Sequence, residues 1–237
     1  MAAKKSSNTK TAARSAWKAA PAGASVSKAS TTATRKSNGP SAPAPAAPAG
    51  DASSLLDGRT VVELGDDLIS GKKAAAAQAA RVIDGLLERQ PDAVIPIIDR
   101  FVKAIVLEDK RPAQTAANAL PVMARVAPAR VARHLPRLKD GFDAASLVGK
   151  DGLVRTFAGL CTASVAYQKR LEGVLNKALA EADAKTLPKW TEVVLPALKG
   201  EPHARARATV EARLSRIPKA VAQKIADFLG IKLRLRY

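Results

Sequence analysis

The sequence predicts an all-α protein: a right-handed α-solenoid of about four helical hairpins, preceded by a disordered basic tail. Three observations lead there. Apolar residues recur at helical spacing from Leu55 onward. A proline, two residues and a valine return after the same kind of helix, in QPDAV (Gln90–Val94), APARV (Ala127–Val131) and IPKAV (Ile217–Val221). The step from Pro91 to Pro128, 37 residues, carries the apolar pattern with it. A hairpin of that size cannot bury its apolar faces alone, whereas a row of them can. A compact helical bundle is the alternative architecture for the same helices.

Residues 1–50 form the expected tail. They hold eight basic residues and no acid, and they lack Leu, Ile and Phe, so they cannot bury enough apolar surface to offset chain entropy. The last part, GPSAPAPAAPAG, reads as an extended Pro/Ala spacer. Lys4, Lys5, Lys10, Arg14 and Lys18 make the first part a candidate arm for an anionic polymer. A solvated extension and an organelle transit peptide are the other readings, and Lys outnumbering Arg six to two counts against the transit peptide. The mixture of Lys, Ala, Ser, Thr and Pro resembles the tails of linker histones and bacterial histone-like proteins.

The folded domain is expected over residues 51–237. Thr60 and Glu63 fit a capping box, and Gly71 closes that first helix. The next helix carries the stripe Ala79, Val82/Ile83 and Leu86/Leu87. Pro91 then opens a helix that is apolar nearly all round, from Val94 to Val106. Shifted by 37, Val94 falls on Val131, Ile98 on Leu135 and Phe101 on Leu138. A third copy covers GLVRTFAGLCTASVAYQKRLEGVL, with Ser164 in place of the proline. A fourth copy is read from Val210, Leu214, Pro218, Val221, Ile225 and Phe228. The segment with Leu187, Trp190, Val194 and Leu198 stands between them as an addition. Pro96, Pro121, Pro136 and Pro196 sit inside helical patterns, where each is expected to kink or interrupt.

The period, the paired helices and the QPDAV, APARV and IPKAV turns resemble the HEAT-repeat family of α-solenoids, over residues 74–229. The resemblance implies a stacked helical scaffold. The family includes scaffolds, transport receptors, chromosome-organising subunits and a group of DNA alkylation-repair glycosylases.

The charge points to an anionic partner. The chain has 39 Lys+Arg against 21 Asp+Glu, a formal net charge of +18. Residues 110–139 contain Lys110, Arg111, Arg125, Arg130, Arg133, Arg137 and Lys139 and no acid. Arg130, Arg133 and Arg137 are spaced to share one face of a helix whose other face is Val131, Leu135 and Leu138. Residues 81–109 hold six acids against four basics; residues 201–237 return to nine basics against three acids, with Arg205, Arg207, Arg213 and Arg216 before Pro218. Solvated faces explain such runs equally well in general; their concentration in two hairpins and a tail favours phosphate contacts. The terminal KLRLRY fits a fraying helix, a short strand or a docking peptide.

Catalysis is not expected. Cys161 reads as a buried apolar residue beside Phe157 and Leu160, and His134 and His203 do not form a zinc spacing. Asp99 and Asp140 have no aromatic neighbours at helical spacing, against what a glycosylase-like groove needs. No cofactor is implied. The expected function is non-catalytic nucleic-acid binding, DNA foremost, in the cytoplasm or on the nucleoid or chromatin; an organelle is the compartment if the tail is a transit peptide. An adaptor for an acidic protein partner is the second reading, and a glycosylase-like enzyme the third. No apolar run approaches the ~18 residues of a membrane span.

Overall fold

The computed structural model describes residues 59–232, and every regular element among them is helical. The expected tail, with Lys4, Lys5, Lys10, Arg14 and Lys18, and the terminal residues 233–237 lie outside the described residues.

Helix α1 (Val61–Ile69) starts where the sequence places it. Glu63 N–H donates to Thr60 Oγ1 at 3.3 Å, and Thr60 N–H donates to Glu63 Oε2 at 2.8 Å, so two N–H groups left free at the helix start are satisfied reciprocally. The hydrogen bonds to Thr60 hold the Glu63 carboxyl below its ordinary range. Gly71 follows with φ 75°, a left-handed conformation that closes the turn at little steric cost.

Helix α2 (Lys73–Arg89) ends at Gln90, and a 3₁₀ segment, Pro91–Ile97, leads into α3 (Ile98–Ala104). Helix α4 (Lys110–Val126) ends at Ala127, then α5 (Pro128–Ala132) and α6 (Leu135–Ala144) follow. Gln90 and Ala127 share one backbone conformation, φ/ψ −143/70° and −133/60°. A residue before proline is kept out of the helical region, so both helices stop there and turn. Val94 and Val131 are then fully buried. The third occurrence differs: Ile217 is extended and Val221 is only half-buried.

The internal prolines act unequally. Pro96 lies in the 3₁₀ segment before α3, and Pro136 in the first turn of α6. Pro136 has no N–H to give the carbonyl of Ala132, which is where α5 ends. Helix α4 continues through Pro121, and Pro196 is the next-to-last residue of its helix.

Helices α7 (Leu147–Ala163) and α8 (Val165–Glu181) form a hairpin around Ser164, whose hydroxyl accepts from Ala166 N–H. Then come α9 (Leu187–Ala197), α10 (Gly200–Arg213), a 3₁₀ turn at Leu214–Arg216, and α11 (Lys219–Leu229). Here the sequence register needs correction. Helix α9 packs on α7, and α10 packs on α8. The segment read as an addition is therefore the first helix of the fourth hairpin, and α10 the second. Phe228, assigned to the core, is 45% exposed.

The described helices fall into two sets. Helices α2, α4, α7, α9 and α11 neighbour one another in that order; α1 neighbours α3, and α8 neighbours α10. Side-chain bonds between neighbours recur at similar sequence separations. Arg100 Nε donates to Asp66 Oδ1 across 34 residues, Lys177 Nζ to Asp143 across 34, and Arg205 to Glu172 across 33. In the other set, Arg155 donates to the carbonyl of Ala117 across 38 residues and Trp190 Nε1 to Asp151 across 39.

One apolar core runs between the sets, from Val61 to Ile225, built chiefly of Ala, Val, Leu and Ile. Its tightest layer is the α4–α7 interface. A Cβ on Gly152 would lie 2.5 Å from Ala117 Cα. The backbones meet there because glycine faces alanine: Gly152 lies against Ala117, and Gly159 against Ala124. Gln168, 3% exposed, joins three helix ends: its Nε2 donates to the carbonyls of Cys161 and Ala197, both at 3.1 Å, and its Oε1 accepts from Lys199 N–H at 3.2 Å.

Cys161 is buried, as its apolar neighbours suggest, and burial pushes its thiol pKa up to about 12. The thiolate that reacts with electrophiles is then scarce at neutral pH. Alkylation of the native protein should be slow and should become fast in denaturant; rapid labelling of the native chain would contradict this placement.

Candidate nucleic-acid interface

The arginines of the second hairpin stand on the surface because their apolar neighbours are held inside. Val131, Leu135, Leu138 and Phe142 are at most 2% exposed and fix α5 and α6 against the core. Arg130, Arg133 and Arg137 project on the solvent side, all exposed. The expected single helix is in fact two: Arg130 lies in α5, Arg133 caps it, and Arg137 lies in the first turn of α6. The break at Pro136 explains the split, and all three arginines stay exposed across it. Arg125, in the last turn of α4, is exposed as well, its side chain running beside Gly159 of α7.

Arg125, Arg130, Arg133 and Arg137 take no carboxylate partner among the described residues. The other predicted residues of this hairpin differ by degree. Arg111 reaches Asp84 at 3.4 Å, and burial raises the Asp84 carboxyl despite that cation. Lys139 donates to the carbonyl of Arg170 at 3.4 Å. Lys110 is exposed at the start of α4.

The C-terminal arginines are arranged otherwise. Arg205 pairs with Glu201 and with Glu172, the latter at 3.0 Å, and the hydrogen bond to Glu201 is the main reason its pKa is raised. Arg207 pairs with Glu211 at 2.7 Å and also donates to the carbonyl of Leu229. Arg213 donates to the carbonyls of Leu179 and Ala180 at 3.0 and 2.8 Å. Those oxygens belong to the negative end of α8, which a cation stabilises. Arg216 is exposed in the 3₁₀ turn. The sequence gives these four the same standing as the arginines of α5 and α6; the fold commits three of them to internal partners.

Sequence reading passed over Arg170. It is exposed on α8 and lines a shallow cleft with Leu135, Pro136, Lys139 and Asp140. Its neighbour Glu172 makes the local charge look balanced, but Glu172 is taken up by Arg205 of α10.

The carboxylates considered for catalysis are separated. Asp99 pairs with Arg100 at 2.6 Å, and Asp140 is exposed at the cleft. Among the described residues no three His, Cys, Asp or Glu side chains are grouped to hold a metal ion. No described helix is long and apolar enough to cross a membrane. No known family model matches the chain, and no curated protein matches it in sequence.

Proposed function

We propose that this chain is a non-catalytic α-solenoid that binds nucleic acid, DNA foremost, through its phosphates. The exposed face from Arg125 to Arg137 is the main contact, and the basic tail is a second arm. The observation that carries the reading is the run of four exposed arginines without carboxylate partners among the described residues, in a stretch, residues 110–139, that holds no acid. A free guanidinium stays charged at any physiological pH and can take phosphate oxygens without first breaking an ion pair. Each contact releases condensed counterions, which supplies sequence-independent affinity. The solenoid reading is supported by the neighbour order of the two helix sets and by linking bonds recurring at 33 to 39 residues. Stacked HEAT-like hairpins give that spacing.

The test is capture from lysate by wild type and by the triple variant R130Q/R133Q/R137Q, each with and without nuclease. Wild type should retain nucleic acid, and proteins captured through it should be lost on digestion. The variant should retain markedly less while melting like wild type, since exposed substitutions shift stability by under about 0.5 kcal/mol. Capture of an acidic protein that survives nuclease and depends on the same arginines would instead support the adaptor role.

A further inference from the structure

We infer that the arginine face takes double-stranded rather than single-stranded nucleic acid. This rests on the reading of that face as a phosphate-binding surface. Single strands are held by stacking bases on aromatic rings along a basic track. The described aromatic rings are placed elsewhere. Phe101, Phe157 and Trp190 are at most 3% exposed. Phe142 lies on the buried side of α6, with Lys150 Nζ 5.6 Å from its ring centroid. Tyr167 is packed partly into the core on α8, and Phe228 belongs to α11, which packs on α9. Arg125, Arg130, Arg133 and Arg137 thus offer cations with no ring between them among the described residues.

What remains is charge on a rigid base. Val131, Leu135 and Leu138 anchor the two short helices, so the backbone that carries Arg130, Arg133 and Arg137 is held against the core. A duplex presents a regular and denser phosphate array, one charge per ~1.7 Å of axis, and each contact on it releases more counterion than on a single strand. A rigid row of cations without rings profits from that array and gains little from unpaired bases.

The experiment uses the full chain, wild type and R130Q/R133Q/R137Q, titrated by anisotropy at ~0.1 M salt against a labelled duplex DNA and against one of its strands chosen not to self-pair. The duplex should lose affinity on the order of 10²-fold in the variant, from three phosphate contacts. The single strand, held by the tail, should change little. Equal losses on both probes, or a greater loss on the single strand, would overturn the duplex preference and leave phosphate binding standing. A variant that binds both probes like wild type would overturn phosphate binding at this face and the preference with it.

Discussion

Gly152→Ala should destabilise the protein by about 1–3 kcal/mol, and Gly152→Val by more, because the added carbon has nowhere to go. Its Cβ would lie 2.5 Å from Ala117 Cα, 2.6 Å from Ala117 Cβ and 3.0 Å from Ala117 O. These are mostly backbone atoms at the middle of the α4–α7 interface, so relief requires the two helices to separate. The same substitution at Gly173 should act in the opposite sense. A Cβ there meets nothing within 4 Å, and the residue is exposed inside α8. Replacing a helix glycine by alanine at such a site should stabilise by about 0.5–1 kcal/mol. Chemical denaturation of both variants reads the two signs directly. A stabilising Gly152→Ala would show that α4 and α7 do not meet there.

Gln168→Leu should cost about 2–4 kcal/mol, although the replacement is apolar and similar in size. The amide of Gln168, 3% exposed, satisfies two buried carbonyls and one part-buried N–H at the ends of α7, α9 and before α10. Leucine would leave three backbone groups unpaired. Gln168→Glu adds a pH dependence. A carboxylate there would face the carbonyls of Cys161 and Ala197, so burial and those oxygens raise its folded pKa above its unfolded value. At low pH both states hold the proton. As pH rises the unfolded chain ionises first, and stability falls until the folded group also ionises. Melting at acidic and neutral pH should therefore show a deficit against wild type that grows with pH; a deficit that shrank would place the side chain outside this network.

Much of the core was legible because it depends on spacing. Val131, Leu135 and Leu138 were placed inside by a 37-residue shift and are buried. The capping box at Thr60 needed only four residues. The fourth hairpin was misread because α10, GEPHARARATVEAR, mixes alanine with arginine, so neither face stands out. Of its residues only Ala206 and Val210 are buried, and the Pro218 turn offered a false register. The candidate site was half legible. Local charge marked Arg130, Arg133 and Arg137, and the fold leaves all three exposed. It could not separate Arg137, which has no carboxylate partner among the described residues, from Arg213, whose carbonyl partners lie 33 and 34 residues away, nor foresee the bond from Arg205 to Glu172 across 33. Such pairings follow from which helices become neighbours, and that information is absent from any short window of sequence.

The most direct measurement is the salt dependence of duplex affinity for wild type and R130Q/R133Q/R137Q. With one phosphate per arginine, the slope of log affinity against log salt should fall by about 0.9 per lost contact, so by roughly 2–3. Duplexes of different sequence should lose affinity alike, since phosphate contacts carry no base information. A fall of that size, common to all sequences, is the expected result. An unaltered slope in a variant that melts like wild type would contradict phosphate binding at this face.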